Sequence, residues 1–241
     1  MKECLDKDKI RKLRKVIDAY YLTTNPLLKD FTERSLNSMR WKGIGLLMVL
    51  DAAFTSVGLN YFNIVVPAII RFKESFYDIG KIRNFNQLLS YNKESLKYIW
   101  KNDRSWNVAF GIAKVLRRYS GNDDREKLRS WARDSSLESF RDNGIGKVKG
   151  VGLVTYQYLR IMGGIDTIMP DKIVMRFIEK VIDEAGIKVH YRNIIDGIKK
   201  LEHLFKMVGV RPVEITWMSW LVDSELRKIL SGVHKEILSV L

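Results

Sequence analysis

The sequence predicts an all-α protein, and three observations carry that expectation. The 241-residue chain has only four prolines. No strand-like alternation of apolar and polar residues persists over several segments. Apolar residues recur instead at the three- and four-residue steps of a helix. At 46% hydrophobic and 29% charged, the composition excludes a disordered chain. The length fits one large or two small domains, enough to bury a core.

Taken in order, residues 7–21 (KDKIRKLRKVIDAYY) set Ile10, Leu13, Val16 and Ile17 on one helical face. The opposite basic run of Lys9, Arg11, Lys12, Arg14 and Lys15 suits either a solvated face or contact with a polyanion. Residues 46–54 and 60–72 form apolar helices separated by Thr55-Ser56-Val57-Gly58, with Ser56 or Asn60 to cap the second. Shorter helices cover 85–90, 93–101 and 105–119, with breaks near Asn92 and around Lys101-Asn102-Asp103. Ser120-Gly121-Asn122 ends one helix, and Asp123 or Asp124 opens the next, through about Ala132. Residues 152–162 form an apolar helix ending at Gly163-Gly164. Asp171 to Ala185 is stopped by Gly186, and 191–208 and 213–232 complete the set. About ten or eleven short helices with short connections, no internal repeat and no low-complexity linker suggest an orthogonal array, not a long bundle.

Charge and rare residues narrow the function classes. Lys+Arg number 42 against 28 Asp+Glu, a net charge of +14. An excess of this size points to a polyanionic partner, most often nucleic acid. The single cysteine, Cys4, excludes an intramolecular disulfide framework, a zinc site of paired cysteines and a four-cysteine iron–sulfur cluster. His190, His203 and His234 are scattered, so no metal site from side chains is expected. The longest apolar stretch, Gly43 to Phe54, is interrupted by Asp51 and is too short to span a bilayer. The start, MKECLDKDK, lacks an apolar signal region. The expectation is an intracellular protein, cytoplasmic or nucleoid-associated, with no membrane partner.

The most informative stretch is Ile145-Gly146-Lys147-Val148-Lys149-Gly150-Val151-Gly152-Leu153-Val154-Thr155. A short turn of helix is expected to meet Gly150-Val151-Gly152, with an apolar helix after it. Glycines allow positive φ and close approach of another molecule. The free N–H groups and positive dipole end of the second helix suit a phosphate, and Lys147 and Lys149 add charge beside it. The same pattern also suits a plain turn between packed helices.

This stretch resembles the helix-hairpin-helix of the HhH-GPD superfamily of base-excision DNA glycosylases. In that family a Gly-apolar-Gly hairpin leads into a helix, a Gly- and Pro-containing loop follows, and an aspartate is followed five residues later by an arginine. Here Gly150-Val151-Gly152 is followed by Gly163-Gly164 and Met169-Pro170-Asp171, with Arg176 at that spacing. Upstream, Leu47 to Arg71 is similar to the family's first barrel helices, and Trp106 to Tyr119 to the helix preceding the hairpin. The resemblance covers roughly residues 43–180. It implies an all-α protein of two helical domains flanking a cleft. A six-helix barrel domain at 43–165 would end in the hairpin, and 1–42 with 166–241 would form the second domain.

The activity so implied is hydrolysis of the N-glycosidic bond of a damaged or mispaired base in duplex DNA, the first chemical step of base excision repair. Two aspartates compete for the catalytic role. Asp166, in Gly164-Ile165-Asp166-Thr167, copies the family's frequent apolar-Asp-Thr wording. Asp171 has the family distance from the hairpin, the downstream arginine and a helix start whose dipole favours an ionised carboxylate. Asp171 is preferred, to activate water and to stabilise the oxocarbenium ion; Asp166 is the runner-up. An ordinary N-cap is the plain alternative for Asp171.

Bifunctional relatives carry a lysine two residues after the second hairpin glycine. Val154 stands there, which implies a monofunctional enzyme. A glycosylase/AP lyase using a nearby lysine and a non-enzymatic DNA-binding hairpin protein are the alternatives. The phosphate-binding hairpin would comprise Lys147, Lys149, Gly150, Val151, Gly152 and Thr155. The DNA wedge would come from Thr55 and Ser56, and the base pocket from Val154, Tyr158, Trp217 and Trp220. No cofactor is expected beyond a monovalent cation on the hairpin carbonyls, and no iron–sulfur cluster. The partner would be lesion-containing double-stranded DNA bound by a monomer.

Overall fold

The computed structural model describes residues 6–24 and 27–223. Among them every regular element is helical. In chain order these are α1 (Lys7–Thr24), α2 (Leu27–Leu36), α3 (Gly45–Thr55), α4 (Val66–Phe72), α5 (Phe85–Ser90) and α6 (Asp103–Leu116), then α7 (Asp124–Asp134), α8 (Leu153–Met162), α9 (Lys172–Glu184), α10 (Ile194–Met207) and α11 (Pro212–Asp223). The helix expected over 213–232 is described as far as Asp223, and the rest lies outside the described residues. The described residues divide into two compact units, one of those up to 34 together with 166–223, the other of 35–165.

The 35–165 unit is built on α3. Its residues 45–54 are all buried, as a helix apolar on every side must be. It packs against α4, α6, α7 and α8. At its end Phe54 stacks on Trp100 at 4.6 Å and meets the edge of Trp106 at 5.0 Å. Gly45 permits the approach of α7, because a Cβ there would lie 2.5 Å from the Asp124 backbone. The unit begins at Ser35, ahead of the expected Gly43, because Arg40 and Trp41 are buried in its core. Arg125 pins that segment, donating to the carbonyls of Ser38 at 3.0 Å and Asn37 at 2.8 Å.

Two expected helices are altered. The stretch from 60 onward is a π turn at Tyr61–Val65, then α4, then a second π turn at Lys73–Tyr77. Asn60 caps the start, accepting from Asn63 N at 3.0 Å. Pro67 has no N–H to carry an α register through this point, and Val65 N bonds back to Asn60 O instead. The stretch 93–101 holds only a 3-10 turn at Lys93–Leu96, capped by Asn92. Beyond it, the Trp100 carbonyl accepts from Trp106 Nε1 at 2.7 Å.

The other unit packs α9 and α1 against α11, and α10 against α11. α9 shows the 3.6-residue period clearly, burying Val174, Phe177, Ile178, Val181 and Ile182. Tyr20 of α1 meets the edge of Phe177 at 5.0 Å. α2 is an element the sequence reading lacks. It buries Leu28, Phe31, Thr32 and Ser35, so half of its inward face is polar and its apolar signal is faint.

Candidate active site

Asp171 opens α9 as its N-cap, with Oδ1 accepting from Val174 N at 2.7 Å. Oδ2 accepts from Trp220 Nε1 at 3.0 Å. Burial pushes its carboxyl above the usual range, while N–H groups of Val174, Trp220 and Ile173 pull the other way. All of these are neutral donors. A half-buried carboxylate held by neutral donors can keep its negative charge available to a developing cation.

Asp166 sits differently. Its Oδ1 accepts from Val213 N at 2.9 Å, in the first turn of α11. Burial raises its carboxyl as well, opposed by that N–H and by the nearby Lys206 and Arg211. Thr167, its partner in the family-like wording, bonds through Oγ1 to Glu202 Oε1. The Asp-Thr pair is thus spent on holding α10 and α11. Of the two tryptophans singled out in the sequence, Trp220 is half-buried and reaches Asp171. Trp217 is buried and packs on Phe31 at 5.5 Å.

In the other unit, the hairpin's first arm is not a helix. Residues 138–150 form a series of turns, with Lys147 N bonded to Asn143 O, Val148 N to Ile145 O and Val151 N to Val148 O. Asn143 is the keystone, because its Oδ1 accepts from both Trp131 Nε1 and Ile145 N at 3.0 Å. Gly150 has φ +99°, and a Cβ on it would lie 2.8 Å from Val108. Gly152 is the exposed N-cap of α8, with φ −96° and no side-chain cap bond, and space around its missing Cβ is open. The first turn of α8 therefore presents N–H groups toward solvent without a capping side chain. Lys147 and Lys149 are exposed beside it, Val154 is half-buried, and Val151 and Thr155 are turned inward.

A third cation at the hairpin escaped the sequence. A Cβ on Gly150 would lie 3.6 Å from Arg104 Nε, so the guanidinium of this exposed residue lies over the glycine. Arg104 stands in the first turn of α6, where the helix dipole disfavours a cation. That misfit was the available signal.

The loop after α3 also differs in detail. Thr55 Oγ1 turns back to Asp51 Oδ1 at 3.3 Å, and Ser56 Oγ to Ala53 O at 2.6 Å. The side chain the loop exposes is Leu59, at 45%. Tyr158, one turn beyond Val154, is buried, and its Oη donates to Asp51 Oδ2 at 3.0 Å.

Together these features define a class by fold: an all-α chain of two helical units, one ending in a Gly-Val-Gly hairpin, with an aspartate-capped helix shortly after it. No family model matches the chain, and no curated protein matches it in sequence. Among solved structures, the 8-oxoguanine DNA glycosylase of Thermotoga maritima matches with a TM-score of 0.54 at 14% identity, over 89% of this chain and 97% of that one. The chain thus shares the all-α fold of that structure.

Among the described residues, no helix is long and apolar enough to cross a membrane.

Proposed function

We propose that the protein is a DNA glycosylase that hydrolyses the N-glycosidic bond of a damaged or mispaired base in duplex DNA. The observation that carries this reading is Asp171, a half-buried carboxylate at the start of α9 that accepts from Trp220 Nε1 and Val174 N, both neutral donors. As the C1′–N bond breaks, the base leaves with the bonding electron pair and the sugar becomes oxocarbenium-like. Asp171 stabilises that charge and takes a proton from the water whose oxygen bonds to C1′. The uncapped first turn of α8, with Lys147, Lys149 and Arg104, grips a backbone phosphate. A monovalent cation there would rest on the hairpin carbonyls around residues 148–153, against a DNA phosphate. Leu59, not Thr55 or Ser56, is the apolar side chain offered to the base stack. Val154 in place of a lysine supports attack by water over attack by an amine.

The test is Asp171→Asn on oligonucleotide duplexes carrying a panel of lesions, 8-oxoguanine first, since that base is named for the structural neighbour. Release is expected to fall by about 10²-fold or more. Undiminished release would refute the role of Asp171. Borohydride trapping of the wild-type protein on the released substrate is expected to give no covalent adduct. A trapped adduct would mean a lysine nucleophile and a lyase step.

A further inference from the structure

The 35–165 unit buries a polar cluster whose hub is Asp51, and Tyr158, expected from its register in the base pocket, is 4% exposed with its hydroxyl turned into this cluster. Asp51 is 0% and Arg40 1% exposed. Asp51 Oδ2 accepts from Trp41 Nε1 at 2.7 Å, Tyr61 Oη at 2.9 Å and Tyr158 Oη at 3.0 Å. Arg40 Nη2 lies 3.6 Å from the same oxygen and donates to Tyr61 Oη at 2.8 Å and Tyr158 Oη at 3.2 Å. Burial pushes both phenols well above their ordinary range, so they remain donors at any working pH.

Stability does not explain the cluster. A buried ion pair is commonly matched or bettered by apolar residues of the same volume. The cluster also comes with backbone strain, because Trp41 sits in the left-handed region at φ 53°, ψ 37°, and Lys42 follows at φ 54°. Strain kept beside a buried network points to a task for the network.

Topology shows what the cluster holds. Thr55, the last residue of α3, bonds to Asp51 Oδ1, and Tyr61, the first residue after the loop, bonds to Oδ2. Both ends of the 56–60 loop are therefore tied to one carboxylate. The third tie, Tyr158, belongs to α8, the helix that opens at the hairpin. The loop has little packing of its own, since Gly58 and Leu59 are exposed and a Cβ on Gly58 would touch nothing.

The geometry points to the Asp51 cluster as a positioning device that fixes the Leu59 loop relative to α8, with Tyr158 as the link between the two. This inference rests on the glycosylase reading for what the loop does. A wedge at the wrong height leaves a paired base in the stack, yet matters little to a base that has no partner and is already loosely held.

The experiment uses the full chain carrying Tyr158→Phe, with Tyr61→Phe as the second variant. Hydrogen exchange at residues 56–60 is expected to rise in both variants while α6 and α7 stay protected. Single-turnover release of 8-oxoguanine paired with cytosine is expected to fall about tenfold. Release of the same base opposite an abasic position is expected to stay within about twofold of wild type. Equal losses on both substrates, or unchanged exchange at 56–60, would overturn the inference and leave a merely structural cluster. If the wild-type protein released no base from any lesion, the glycosylase reading would fall, and the exchange measurement would still decide whether the cluster holds the loop.

Discussion

In the proposed reaction the cap of a helix and the reactive group are the same carboxylate, Asp171, and their demands conflict. A cap is satisfied by one accepted N–H, whereas burial also pushes the half-buried Asp171 carboxyl above its usual range, opposed by neutral donors. Trp220 Nε1 is a donor that favours its ionised form. Trp220→Phe is therefore expected to raise the Asp171 carboxyl further, and the acid limb of the pH–rate profile for base release should move to higher pH. An unmoved limb would mean that Asp171 does not govern the rate. The same shift has a stability consequence. Because the folded carboxyl is raised, the stability it contributes is present at low pH and lost as pH rises through its folded value. Asp171→Asn does not titrate, so the variant's Tm relative to wild type should climb as pH rises above the ordinary aspartate range. Thermal melts across that range check the sign, and a difference that is flat or falls with pH would contradict it.

Among elements, the two hairpin glycines differ in what surrounds them. Gly150 holds φ +99° with Val108 packed where a Cβ would go, and Gly152 holds an ordinary φ with open space around it. Gly150→Ala is expected to cost about 1–3 kcal/mol of stability through clash and strain. Gly152→Ala should cost only about 0.5 kcal/mol, the usual difference at an N-cap, while weakening duplex binding several-fold, because its methyl stands where a phosphate would approach. Urea unfolding and duplex binding measure the two effects separately; equal binding by Gly152→Ala would remove the phosphate from the first turn of α8.

The hairpin and the α9 cap were legible in the sequence because their information is local: glycines two apart, and an aspartate immediately before a periodic apolar face. The Asp123 and Asn60 caps were each one of two candidates in the sequence, for the same reason. What stayed hidden was long-range. Arg104 reaches Gly150 from another helix, and Tyr158 meets Arg40 across 118 residues and Asp51 across 107. Tyr158 reads from its register alone as a pocket residue, and only its partners reveal a buried hydroxyl. The π turns around Pro67 were hidden as well, because an apolar run has much the same periodicity in α and π registers.

For the whole molecule, the question is whether the net charge of +14 acts as a diffuse field or through a built contact. A diffuse field raises affinity for any polyanion and falls with screening. A built contact releases a counterion for each phosphate neutralised, so each lost contact lowers the slope of log K against log salt by about 0.9 on duplex DNA. The Lys147→Ala, Lys149→Ala, Arg104→Ala triple variant is expected to lower the slope for an undamaged duplex by about 2 to 3. A control with the same charge change, made by replacing the exposed Lys81, Lys188 and Lys206 with alanine, should weaken binding with a smaller change in slope. Equal slopes for the two triples would return the charge to the diffuse field and leave the hairpin as a turn between helices. A steep slope lost only with the hairpin triple would assign a defined share of the basic excess to one phosphate grip, contributed by α6 as well as by the hairpin itself.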